Sequence, residues 1–92
     1  MRFSIAKPSL GEQEIEQVSR VLNSGMIASG PETEKFEKEF SNFVNADFSC
    51  AVSNGTAALS VALSACGIGP GDEVITTPFT FVASANSILS CG

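Results

Sequence analysis

The sequence predicts an α/β fold in which helices pack on a mostly parallel sheet. Two observations predict it. Short apolar runs suited to buried strands, at 49–53 and 73–77, alternate with longer segments of helical pattern. The first of these runs passes into its helix through a tight, glycine-containing turn, Ser53-Asn54-Gly55-Thr56-Ala57. The expected order is helix, helix, strand, helix, strand, helix. Two strands are too few for such a sheet, and the sequence stops at Cys91-Gly92, where a further strand is due. The chain is therefore expected to be part of a longer fold.

Each element has a local reason. Residues 2–8 read as an extended entry, because the residue before Pro8 is kept out of the helical region. Ser9-Leu10-Gly11-Glu12 matches a capping box, and Ile15, Val18, Val21 and Leu22 follow at helical spacing, so a helix is expected over 10–24 with Gly25 as its stop. Pro31 suits the first turn of a second helix, whose positive end Glu32 and Glu34 favour. Its apolar stripe, Phe36, Phe40, Phe43 and Val44, is expected to pack into a core. The alanine-rich run up to Cys66 reads as a third helix, stopped by Gly67. Gly69-Pro70-Gly71-Asp72 is a turn, and Thr80 is the expected cap of a last helix over 81–90. The organisation expected is two N-terminal helices in 1–45 and the start of the sheet in 46–92.

Composition narrows the class. The 92 residues suffice for one small domain, and 43% hydrophobic with 16% charged residues is too apolar for a disordered tail. The net charge of -5 gives no reason to expect nucleic acid or an anionic membrane as partner. All five Lys and Arg fall within the first 38 residues, and none of the residues between Asp47 and Asp72 is charged. Such a stretch implies burial, within this domain or against other chain; Asn54, Gly55, Gly67, Gly69 and Pro70 argue against a membrane helix. Cys50, Cys66 and Cys91 lack CxxC spacing and there is no histidine, so no metal site is expected. Three thiols without a signal peptide suggest a reducing, cytoplasmic setting, with the cysteines as small buried residues.

Two places could carry chemistry. In the turn at 53–57 the first amides of a helix lack internal partners and face the positive end of its dipole, an arrangement suited to a phosphate. Gly55 allows close approach and Thr56 adds a hydroxyl. Taken alone, such a turn serves either as a plain helix cap or as a phosphate site. The second place, Thr77-Pro78-Phe79-Thr80-Phe81, follows the second strand. If the strands are parallel it shares their carboxyl edge, where ligands of open α/β sheets bind. An aromatic ring there either stacks on a planar ligand or packs in the core. There is no Walker pattern, and Gly67-Ile68-Gly69-Pro70-Gly71 follows a helix and reads as a plain turn.

The ordered set of motifs resembles the DegT/DnrJ/StrS-type sugar aminotransferases, a branch of the fold-type I pyridoxal-phosphate enzymes. The resemblance runs through Lys7-Pro8-Ser9-Leu10-Gly11-Glu12, Ser24-Gly25-Met26, Gly30-Pro31, Phe36-Glu37, residues 53–59, Gly71-Asp72-Glu73-Val74-Ile75 and Pro78-Phe79-Thr80-Phe81-Val82-Ala83. It implies the N-terminal part of an aspartate aminotransferase-like large domain, a three-layer α/β/α structure incomplete in this chain. It implies pyridoxal 5'-phosphate as cofactor, with Gly55, Thr56 and Ala57 at its phosphate and Phe81 against its ring. Met26 and Ile27 fall in a segment near the substrate, although the family often has tryptophan or tyrosine where Met26 stands.

The same resemblance implies an enzyme that moves an amino group from glutamate or glutamine to a nucleotide-linked keto sugar, acting as a homodimer. The family's catalytic lysine lies beyond residue 92, and Lys7, Lys35 and Lys38 do not match it, so no catalytic residue is expected here. Two alternatives stay open: a dehydratase of the same family, in which a histidine replaces that lysine, and a non-enzymatic regulator that keeps the fold.

Overall fold

The computed structural model describes Phe3 and residues 5–92. The chain divides into two compact units, the first ending at Ser49 and the second spanning Cys50–Gly92. The expected extended entry lies partly outside the described residues; the part described, Phe3 and residues 5–8, is not helical.

The first unit holds α1 (Glu12–Ser24) and α2 (Pro31–Val44). Helix α1 begins two residues later than its sequence suggests. Gly11, not Ser9, is the N-cap, and its amide donates to Glu14 Oε2 at 2.7 Å. A glutamate stands three residues after each candidate cap, and the reach of Glu14 back to the Gly11 amide decides between them. Gly25 ends the helix as expected: its φ of 74° is a left-handed conformation that costs glycine nothing, and its amide returns to Leu22 O at 3.1 Å. Helix α2 starts at Pro31 behind the N-cap Gly30, with Glu32 and Glu34 in its first turn. It stops at Asn45, another left-handed residue.

The second unit holds α3 (Gly55–Ala65) and α4 (Ala83–Ser90), which pack against each other. Between them the turn at 69–72 closes as expected, with Asp72 N donating to Gly69 O at 3.1 Å and Gly69 N donating to Asp72 Oδ2 at 2.9 Å. Thr80 does not cap α4. That helix starts at Ala83 behind Val82, and Thr80 Oγ1 lies instead 3.2 Å from Ser84 Oγ.

The expected sheet is not formed within the described residues, all of whose regular elements are helices. Residues 49–53 and 73–77 run without assignment to any helix or strand. A strand exists only through the ladder it makes with a neighbour, so an apolar run with strand propensity is not a strand by itself.

Burial departs from expectation in the same direction. Ala83, 6% exposed, is the one buried hydrophobic residue among those described. Phe36, Phe40 and Phe43 remain exposed, although the first two rings lie 5.9 Å apart on the helix surface. Ile15, Val18 and Leu22 of α1 are exposed as well, and no residue of α3 is buried. Cys50 and Cys66 are exposed and Cys91 is half-buried, all three as free thiols. The cause is size: two helices in a unit of fewer than fifty residues cannot enclose their own apolar faces. Among the described residues no helix is long and apolar enough to cross a membrane, and no cluster of His, Cys, Asp and Glu could hold a metal ion.

Candidate functional site

The turn that opens α3 is a helix cap. Asn54 is the N-cap, in extended conformation, and its Oδ1 accepts the amide hydrogen of Ala57 at 2.9 Å. Its carbonyl oxygen accepts from Ala58 N at 3.1 Å. The cap thus consumes the third and fourth amides of the helix. The amides of Gly55 and Thr56, and the Thr56 hydroxyl, have no hydrogen-bond partner among the described residues. Two free N–H groups and one O–H stand at the positive end of an eleven-residue helix, with open space where a Gly55 Cβ would lie.

These groups line a hollow of about 500 Å³ within the second unit. Its lining is Gly55, Thr56, Leu59, Phe81, Ala83 and Ser84. Phe81, 74% exposed, presents its ring rather than burying it. The structure therefore brings Gly55, Thr56 and Phe81 to one place, although 25 positions separate Thr56 from Phe81. Ala57 belongs to the same turn, but its amide is engaged by Asn54 and it does not line the hollow. Sequence reasoning passed over Ser84 and Leu59. Each lies one helical step from a residue already singled out, Ser84 near Phe81 and Leu59 near Thr56, and that spacing is the signal that finds them. No lining residue carries a charge, so nothing in the hollow repels an anion at the helix end.

Met26 and Ile27 belong to a second hollow, of about 370 Å³, confined to the first unit. The loop 25–30 forms one wall and Arg20 and Glu32 contribute another. Both Met26 and Ile27 are exposed. Ser24 shapes the entry to the loop: its Oγ donates to Val21 O at 2.6 Å and accepts from Met26 N at 3.2 Å. The Met26 side chain lies beside Gly30, its Cε 3.4 Å from where a Cβ at that position would stand. Arg20 Nη2 reaches Glu32 Oε1 at 2.8 Å. That pair was not legible from the sequence, since its partners lie on different helices.

Comparison with known proteins follows the same lines. Residues 8–92 match the model of the DegT/DnrJ/EryC1/StrS aminotransferase family. The chain is 52% identical over 85 residues to the spore coat polysaccharide biosynthesis protein SpsC of Bacillus subtilis, covering 92% of this chain and 22% of that protein. It is 44% identical over 89 residues to the GDP-perosamine synthase of Vibrio cholerae, covering 96% of this chain and 24% of that protein. Among solved structures, the aminotransferase from Psychrobacter cryohalolentis superposes with a TM-score of 0.84 at 46% identity, over 92% of this chain and 22% of that one. The chain thus spans between a fifth and a quarter of the length of the relatives it matches. With the motif order, the helix arrangement and the matched span in agreement, the chain belongs to the DegT/DnrJ/EryC1/StrS aminotransferase family.

Proposed function

We propose that this chain forms the N-terminal part of the cofactor-binding domain of a pyridoxal-phosphate-dependent sugar aminotransferase. The observation that carries the reading is the meeting of Thr56 and Phe81 in one hollow at the N-terminus of α3. The donor set fits the cofactor. The Gly55 and Thr56 amides and the Thr56 hydroxyl suit a phosphate dianion, and an exposed phenyl ring nearby suits a planar heterocycle. The uncharged lining leaves the field of the helix end unopposed. Pyridoxal phosphate, when bound, supplies the electron sink for amino transfer. The chain's residues hold its phosphate, orient its ring and keep water from one face. Ala57 contributes by seating the cap that leaves its two neighbours free.

The substrate side of the reading rests on the loop 25–30. Met26 and Ile27 contact the nucleotide-linked keto sugar, and glutamate or glutamine serves as amino donor. The name of the Vibrio relative, GDP-perosamine synthase, supports a nucleotide-linked sugar, and that of SpsC supports a polysaccharide pathway. The reading includes a cytoplasmic homodimer, with which three unpaired cysteines agree. The exposed apolar faces of α1 and α2 support a larger fold around them. The direct test is to purify the complete gene product, titrate it with pyridoxal phosphate, and assay amino transfer from glutamate and glutamine to nucleotide-linked keto sugars. Saturable cofactor binding with transfer supports the proposal; a properly folded protein that binds no cofactor sinks it.

A further inference from the structure

We propose that Arg20 is a positioning residue, holding the loop 25–30 in the arrangement that presents Met26 and Ile27. The inference rests on the substrate role given to that loop above. Ile27, Ala28 and Ser29 make no hydrogen bond among the described residues, so the loop depends on how its two ends are held. Ser24 fixes the end that leaves α1, through its bonds to Val21 and Met26. The other end enters α2 at Gly30, and Arg20 ties that entry back to α1.

The geometry of the tie is specific. Gln17, one turn before Arg20 on α1, accepts from Arg20 Nε at 3.3 Å and from Nη2 at 2.9 Å. This contact aims the guanidinium, and Nη2 then meets Glu32 Oε1 at 2.8 Å. Glu32 is itself favoured where it stands, in the first turn of α2 against the positive end of the helix. The pair lines the same hollow as Met26, whose side chain lies beside Gly30. Because Glu32 matches the Arg20 charge, Arg20 acts by bracing the loop and not as a free cation for the substrate's phosphates. Both side chains are about half exposed, so the effect is modest: an ion pair of this kind shifts a local opening equilibrium roughly two- to fivefold.

The test uses the complete gene product with Arg20→Gln, Glu32→Gln and the exchanged pair Arg20→Glu with Glu32→Arg. Hydrogen–deuterium exchange is followed at the bonded amides of the loop's two ends, Gly25, Met26, Thr33 and Glu34, and KM for the nucleotide sugar is measured separately from kcat. Both single variants are expected to exchange roughly two- to fivefold faster at these amides and to raise KM by a similar factor, with kcat little changed. The exchanged pair should recover most of both. Unchanged exchange in the single variants overturns the brace. A lower KM in Glu32→Gln, with a higher one in Arg20→Gln, also overturns it, because Arg20 then binds the substrate directly. Faster exchange with an unchanged KM overturns the positioning role, and Ile27→Asp then separates the causes. If Ile27→Asp raises KM, only the role of Arg20 has failed; if it does not, the substrate reading of the loop has failed with it.

Discussion

Asn54 Oδ1 accepts the amide of Ala57 at 2.9 Å, and that single bond determines which amides of α3 remain open. A cap that took the second amide would close the proposed phosphate site. This one takes the third and leaves Gly55 and Thr56 free. Asn54→Ala should cost about 1 kcal/mol of stability through loss of the cap. Asn54→Asp should keep the cap and favour the helix end, yet place a carboxylate beside the open amides. The aspartate variant is thus expected to be the more stable of the two without cofactor and the weaker in binding it. Thermal unfolding and cofactor titration of the complete gene product check both halves. Wild-type affinity in the aspartate variant would move the phosphate away from this helix.

Thr56→Val removes a hydroxyl donor and keeps the shape. A hydrogen bond to a charged group is worth roughly 1.5–3 kcal/mol, so pyridoxal-phosphate affinity should fall on the order of tenfold to a hundredfold. Thr56→Ser should retain most of it. The titration that measures these affinities also tests the site: a valine variant that folds and binds as the wild type does places no phosphate on Thr56.

What the sequence disclosed here is what short-range chemistry controls. The stop at Gly25, the start at Pro31 and the turn at 69–72 each depend on a few neighbouring residues, and each stands where expected. The start of α1 slipped from Ser9 to Gly11 because the same glutamate spacing occurs twice. The strands at 49–53 and 73–77 were out of reach for a different reason: a strand belongs to its neighbours, and helices are the elements that the described residues complete by themselves. The burial of Phe36, Phe40 and Phe43 failed likewise, since an amphipathic stripe shows that a face needs covering and not that this chain covers it. The meeting of Thr56 with Phe81 lies between these cases. Neither residue points to the other by spacing; the expected parallel strands placed both at one edge, and the family resemblance gave each a part in one site, before the hollow joined them.

Phe81 is 74% exposed, and the proposed role sets its ring against the cofactor instead of in a core. Truncating a buried phenylalanine costs roughly 3–5 kcal/mol, and a ring left this open has little such burial to lose. Phe81→Ala should therefore weaken cofactor retention while moving the thermal midpoint of the cofactor-free protein very little. Phe81→Tyr and Phe81→Trp should largely keep retention, because stacking tolerates another ring. Equal loss of thermal stability with and without cofactor would assign Phe81 to a core formed elsewhere in the protein.

The last expectation concerns the 92 residues expressed alone. Amino transfer in this family's chemistry needs a lysine amine held at the cofactor and kept partly unprotonated by burial or nearby charge. The sequence offers Lys7, Lys35 and Lys38, and no lysine follows Lys38. Lys35 is mostly exposed, sits 3.8 Å from Glu39, and belongs to the first unit. The proposed phosphate turn and Phe81 both lie in the lysine-free unit from Cys50 onward. The apolar residues left open on α1, α2 and α3 also favour association over a rigid monomer. The isolated chain is expected to bind an apolar dye, to self-associate in sedimentation, and to show no turnover of glutamate or glutamine with pyridoxal phosphate added. Borohydride reduction followed by peptide mapping should find at most scattered, substoichiometric lysine labelling. One stoichiometric label on Lys7, Lys35 or Lys38, accompanied by turnover of an amino donor, would show that these residues carry the chemistry themselves.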